Sequence, residues 1–345
     1  MNVQDNYDWM VCARCFTYNH APYIEDAMNG FCMQKTSFPY VCVIVDDASI
    51  DGEQEIIKNY LDNHFELEDK NIVLHDETDD YILTFARHKT NLYCFFAVIF
   101  LKYNHYSIKK SKVPYFAQWY DKAKYVAMCE GDDYWIDPYK VQEEVNILER
   151  NEQIKLVHTA FGIVNDKNEI IGAPEALYES ILEMQKDGYL WQNHLVLGTP
   201  ILFCTTMYRQ GILDQEGPTI DYAQFMSCAR RGKIAYIDKK MANYRILSTS
   251  MMRSARDNVI SRIKDGIFWQ LYFFSRWQYD TDDYYKRNFR TRVLVSEAII
   301  SSLLIWNKLT VPQKSKKLFY ILFSRPLNTL LLPIALITKS LRRLL

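Results

Sequence analysis

The chain has 345 residues, enough for roughly two domains or one large domain with an appendage. Its 49% apolar and 24% charged residues exclude the disordered and collagen-like classes. A net charge of −1 excludes a uniformly basic surface, so no nucleic-acid partner is expected. That total hides an asymmetry: Ala298 to Leu345 carries eight Lys or Arg and no acid, which leaves −9 for the rest of the chain. The two parts are expected to meet different partners.

The N-terminal MNVQDNYDW lacks the basic and apolar regions of a secretory signal. Met10 to Phe16 is an apolar run that reads as a buried strand ending in Thr17-Tyr18-Asn19-His20. Ile24, Ala27, Met28 and Phe31 then fall at helical spacing. Tyr40 to Val45 is a second buried strand, and Asp51-Gly52-Glu53-Gln54 opens a helix with a capping pattern. Asn71 to His75 reads as a third strand. Leu92 to Leu101 is apolar throughout and reads as a buried helix, followed by a basic, aromatic surface segment, KYNHYSIKKSK. Tyr125 to Cys129 is the fourth strand, Val141, Val145 and Leu148 mark a helix face, and Leu156 to Phe161 is the fifth strand. The cysteines sit mostly in apolar runs, where a thiol packs as a small hydrophobe, and Cys12-x-x-Cys15 has no second pair at zinc spacing.

Alternating strands and helices imply an α/β fold with a mostly parallel sheet covered on both faces. Ligands of such sheets sit beyond the carboxyl ends of the strands. The acidic clusters fall there: Asp46 and Asp47 after the second strand, Glu130, Asp132 and Asp133 after the fourth. Asp51 reads as a turn or helix cap. Adjacent carboxylates without a glycine-rich phosphate loop suit Mg²⁺ or Mn²⁺ holding a polyphosphate.

Tyr18-Asn19-His20, the run Val45 to Gly52, and Glu130-Gly131-Asp132-Asp133-Tyr134-Trp135-x-Asp137-Pro138 together resemble the family 2 glycosyltransferases. The resemblance runs from Val11 to about Ser250. It implies the GT-A fold: a domain over residues 1–250, with a nucleotide-sugar half at about 10–135 and an acceptor half at 136–250. A helical extension over 251–345 would follow. By the same resemblance Thr17 and Tyr18 line the nucleotide pocket, Asp47 contacts the base, and Glu130, Asp132 and Asp133 occupy the metal and diphosphate motif. Asp132 and Asp133 are the metal ligands it implies, with Mn²⁺ or Mg²⁺ as cofactor. Asp221, in Thr219 to Phe225, would be the catalytic base of an inverting enzyme. Met241 to Ser250 resembles the family's Tyr-Arg-x-His-x-x-Ser element, with Leu247 in the histidine's place and Arg245 and Ser248 as phosphate contacts.

The donor expected is a nucleotide sugar, UDP-linked by preference, and the acceptor a glycan, lipid-linked in surface-polysaccharide synthesis. Leu318 to Thr338 is apolar but interrupted by Arg325, Pro326 and Pro333, and it is flanked by lysines and arginines. That pattern predicts peripheral attachment to an anionic membrane, at the inner face of the cell membrane of a cytoplasmic protein. Packing on the catalytic domain, or on a second subunit in a homo-oligomer, is the alternative. Two other functions stay open: a sugar nucleotidyltransferase, which would want Gly and Lys after the first strand, and a non-catalytic glycan-binding protein.

Overall fold

The computed structural model describes residues 7–172, 189–190, 201–213 and 221–247. The chain divides into two compact units, residues 1–247 and 248–345. The second unit lies outside the described residues, and with it the helical extension, the basic apolar tail and Ser248.

The elements follow in the order β1 (Trp9–Thr17), α1 (Ile24–Cys32), β2 (Tyr40–Asp46), α2 (Glu53–His64), β3 (Phe65–Glu66), β4 (Leu74–Glu77), β5 (Tyr81–His88) and β6 (Cys94–Leu101). Next come α3 (Val113–Tyr120), β7 (Ala123–Met128), β8 (Tyr134–Trp135), α4 (Lys140–Arg150), β9 (Ile154–Val164), β10 (Tyr189–Leu190), β11 (Thr206–Arg209), α5 (Asp221–Arg231) and β12 (Lys233–Arg245). Among the described residues the strands form one sheet in the order β10-β12-β9-β11-β7-β1-β2-β6-β5-β3. Its central block, β7-β1-β2-β6, is parallel. Antiparallel strands β11 and β5 extend it on either side.

Side-chain alternation divides the core. Val11, Ala13 and Cys15 face the side covered by Met28 and Phe31 of α1, Ile57 of α2 and Val141 of α4. Cys12, Val41, Val43 and Val45 face Phe116 and Trp119 of α3. The mixed α/β fold with helices on both faces is therefore as expected from the sequence.

Leu92 to Leu101 is not a helix. Cys94–Leu101 is β6, parallel to β2 from Tyr40↔Cys94 to Asp46↔Phe100 and antiparallel to β5. Phe96 and Val98 enter one core cluster and Ala97 and Ile99 the other, so both faces are apolar and no period survives in the sequence. The expected third strand is β4, shifted to Leu74–Glu77, an exposed margin strand paired only to β5. Gly52 holds the N-cap position of α2 with φ +93, and Asp51, one residue before it, accepts the N–H of Glu53 at the start of the helix, in keeping with the turn or helix cap expected of it.

Candidate active site

The carboxyl ends of β1, β2, β6 and β7 meet at one edge of the sheet, and Thr17 is where they join. Its carbonyl accepts the Asp47 N–H at 3.0 Å, while Gly131 N donates to Phe16 O at 3.1 Å. A Cβ on Gly131 would stand 2.1 Å from Thr17 Oγ1, so only glycine lets the loop after β7 lie against the turn after β1. Both acidic clusters thus converge as their position in the sequence implies.

The acids after β2 are bound into a network. Asp46 accepts Ser49 N and Gln54 Nε2, yet burial still pushes its carboxyl up to about 6. Asp51 accepts Ala21 N at 2.9 Å and Glu53 N at 3.1 Å. Glu53, fully buried, accepts the Thr17 hydroxyl, His20 N at 2.8 Å and Ser49 Oγ at 2.8 Å. Asp47 is 1% exposed. It takes His105 N at 2.7 Å, Tyr106 N at 3.1 Å and the Lys112 ammonium at 2.8 Å. The basic, aromatic segment after β6 is therefore pinned on the aspartate that the resemblance assigns to the nucleotide base. Tyr18 is 42% exposed beside this network, while Thr17 is buried within it.

The acids after β7 are different. Glu130 and Asp132 have no side-chain hydrogen bond among the described residues. Burial pushes the Glu130 carboxyl up to about 7; Arg14 opposes this, and Asp132 and Asp221 add to it. Asp133, buried, accepts Arg245 N at 2.8 Å, and burial beside Asp132 holds its carboxyl well above the ordinary range. Asp132 is the accessible member, its carboxylate 24% exposed and 4.0 Å from His20 Nε2. Among the described residues no three His, Cys, Asp or Glu side chains are grouped to hold a metal ion. The oxygen set fits Mg²⁺ or Mn²⁺ only where phosphate oxygens and water complete the shell, as is usual for such cations.

Asp221 is the exposed first residue of α5, and its charge is felt at Glu130. Arg245 is not directed at an open phosphate site. Its Nε donates to Asp132 O at 2.8 Å and one terminal nitrogen to Asp26 Oδ2 at 2.8 Å. The guanidinium also lies over the rings of Tyr23 and Tyr134. It clamps the acidic loop from behind. Leu247 is buried as an apolar side chain. The arrangement thus joins Thr17, Tyr18, Asp47, Glu130, Asp132, Asp133, Asp221 and Arg245 through one edge. Sequence reasoning gives no site role to Glu53, Lys112 or His20. Glu53 reads only as part of a helix start and Lys112 as part of a basic surface segment, while His20 stands in the Tyr18-Asn19-His20 motif without a role of its own.

Residues 16–80 match the family model Glycosyl transferase family 2. An uncharacterised protein of Mycobacterium tuberculosis (Rv1520) is 25% identical over 251 residues, which are 69% of this chain and 59% of that protein. A Mycobacterium bovis protein (Mb1547), also uncharacterised, matches to the same extent. The chain thus spans under two thirds of the length of the curated relatives it matches. Among solved structures, the mannosyltransferase PcManGT from Pyrobaculum calidifontis, in complex with GDP-Man and Mn²⁺, has a TM-score of 0.50 at 12% identity. That likeness covers 99% of this chain and 88% of the other. S. aureus TarS in complex with UDP-GlcNAc has a TM-score of 0.45 at 13% identity, covering 84% and 79%. The fold is GT-A. The family match, which ends before β7, supports a glycosyltransferase of family 2 that uses a nucleotide sugar.

Proposed function

We propose that the protein transfers a hexosyl group from a nucleoside-diphosphate sugar, UDP-linked by preference, to a hydroxyl of a glycan, with inversion at the anomeric carbon. The observation that carries this reading is the contrast at one sheet edge: Glu130 and Asp132, whose side chains make no hydrogen bond among the described residues, lie by the turn after β1, beside a network of satisfied acids. Asp132, with Asp133 behind it, would hold Mn²⁺ or Mg²⁺, and such a cation supplies charge neutralisation for the departing diphosphate. Thr17 and Tyr18 would border the nucleotide. A uracil N–H reaching Asp47 would compete with His105, Tyr106 and Lys112, so donor binding is coupled to the segment after β6.

Asp221 would take the proton of the acceptor hydroxyl. An alcohol is a weak nucleophile at neutral pH, and a positioned base contributes about 10²–10⁴-fold. Its exposure at the start of α5 suits an acceptor arriving from solvent. We place the acceptor among lipid-linked glycans of surface-polysaccharide synthesis at the inner face of the cell membrane, reached through the basic tail. This part of the reading rests on sequence alone. Among the described residues no helix is long and apolar enough to cross a membrane.

The test is nucleoside diphosphate release from a panel of nucleotide sugars. Asp221→Asn is expected to bind donor normally and lose transfer by about 10²–10⁴-fold. Retained transfer in this variant, or a product of retained configuration, overturns the role of Asp221. Failure of full-length protein to bind anionic vesicles at low salt overturns the membrane reading.

A further inference from the structure

His20 stands at the edge of the acidic loop without a part in the chemistry above, and its hydrogen bonds fix which of its ring nitrogens carries the proton. Thr17 Oγ1 gives its only proton to Glu53, a fully buried acceptor. The same oxygen lies 3.2 Å from His20 Nδ1. With its proton committed, the threonine oxygen can only accept, so Nδ1 carries a proton, and in the neutral ring Nε2 keeps its lone pair. The backbone holds the ring in place: His20 N donates to Glu53 Oε2 at 2.8 Å, and the loop that carries Asp132 is pressed against the ring. A Cβ on Gly131 would come within 3.2 Å of His20 Nδ1.

Nε2 therefore faces Asp132 Oδ2 across 4.0 Å. The separation is too long for a hydrogen bond. In the neutral ring neither atom has a proton to offer the other, so two lone-pair donors face each other at this distance. A gap of this size is one that a cation can fill, since two metal–ligand bonds of about 2.1 Å each span it. A histidine whose far nitrogen is tied down by a hydrogen bond is also how imidazole ligands are usually oriented.

We infer that His20 Nε2 and Asp132 form a two-residue ligand pair for the divalent cation. Phosphate oxygens and water complete its shell, and Asp133 stands behind as a buried neighbour and not as a ligand. An imidazole in the shell favours first-row transition ions over Mg²⁺, so of the two cations proposed the pair favours Mn²⁺. The inference rests on the proposed function for the diphosphate that completes the shell; the pairing of His20 with Asp132 rests on the geometry alone.

The test is pulsed electron paramagnetic resonance of Mn²⁺ added to the full-length protein, alone and with UDP, GDP or dTDP. The expected result is a nitrogen hyperfine coupling of a directly bound imidazole. It is lost in both His20→Asn and His20→Gln, with Mn²⁺ affinity falling about tenfold or more and the preference over Mg²⁺ falling with it. Unchanged thermal melting shows that the variants are folded, and Asp132→Asn loses Mn²⁺ binding with His20 intact. Mn²⁺ bound without nitrogen coupling, unchanged affinity in both His20 variants, or no Mn²⁺ binding under any condition overturns the inference. The two readings fail separately. A histidine-dependent Mn²⁺ site with no turnover of any nucleotide sugar removes the transferase. Turnover with no nitrogen coupling removes the ligand pair and leaves the transferase.

Discussion

The acids after β2 and those after β7 look alike in sequence, and the fold treats them oppositely. After β2 every carboxylate is answered: Asp47 alone takes two backbone N–H groups and an ammonium. After β7, the Asp132 carboxylate has no hydrogen bond among the described residues and stands 4.0 Å from His20 Nε2, and the burial of Glu130 is opposed only in part by the charges of Arg14 and Lys112. A buried carboxylate without partners costs folding free energy, whereas a fully bonded one holds structure. The difference separates scaffold from ligand-seeking groups. The β2 acids are tied to loops, and the β7 acids are the ones that the proposed function assigns to a cation and a diphosphate.

The contrast is broken most directly by making the same substitution on both sides. Asp47→Asn takes the charge from a buried ion pair and weakens two backbone hydrogen bonds, which places the expected loss of stability at about 3–5 kcal/mol. Asp132→Asn should leave stability unchanged or raised, because it removes a like charge beside Asp133, while transfer falls about 10²–10³-fold. Urea unfolding and nucleoside diphosphate release on the two variants check this crossed outcome. If both variants lose activity at unchanged stability, Asp47 belongs to the reacting site and the division between the edges fails.

A smaller effect concerns what the scaffold side still costs. Asp46 is hydrogen-bonded, but burial outweighs Ser49 and Gln54 and lifts its carboxyl from 3.8 to about 6. The folded chain therefore holds this proton to higher pH than the unfolded chain does. Stability falls as pH rises from about 4 through about 6 and is level beyond, by on the order of 3 kcal/mol for this group. Asp46→Asn, which keeps an acceptor for Ser49 N, should flatten that fall. Urea midpoints of both proteins from pH 4 to pH 8 measure it, and parallel curves would show that the network already compensates the charge.

Much of this architecture was legible from sequence. β1, β2, β7 and the helix faces carry apolar periods set by one-sided or two-sided burial. The positions after strand ends announced the acidic edge. Three things were not legible. Cys94–Leu101 is apolar on both faces, so strand and helix read alike; its Phe, Val and Ile content was the available signal for β6. The partners of Asp47 lie 58 to 65 residues away, in a basic segment that looks like a solvated turn until β6 delivers it beside β2. Arg245 is singled out in the sequence as a phosphate contact, but its direction was not legible there. Whether a guanidinium meets a phosphate or the back of a loop depends on β12 running beside β9 and pairing with β8 at Tyr134.

The smallest expected effect tests how the scaffold edge holds its shape. Ala48 follows Asp47 with φ +62, a left-handed conformation that costs an L residue with a Cβ roughly 1–2 kcal/mol. That turn lets Ser49 reach back, with its N–H to Asp46, its hydroxyl to Glu53, and its oxygen to Asn19 N at 2.8 Å. Three bonds, one of them from the β1 turn, therefore hold one strained residue in place. Ala48→Gly removes the strain but loosens the unfolded chain by about 0.5–1 kcal/mol. The difference predicts a net gain on the order of 0.5 kcal/mol, with donor binding and transfer unchanged because no ligand-seeking group moves. Urea unfolding alongside donor affinity measures both quantities. A gain in stability accompanied by weaker donor binding would mean that the strained turn itself shapes the nucleotide site, beyond the base contact proposed for Asp47.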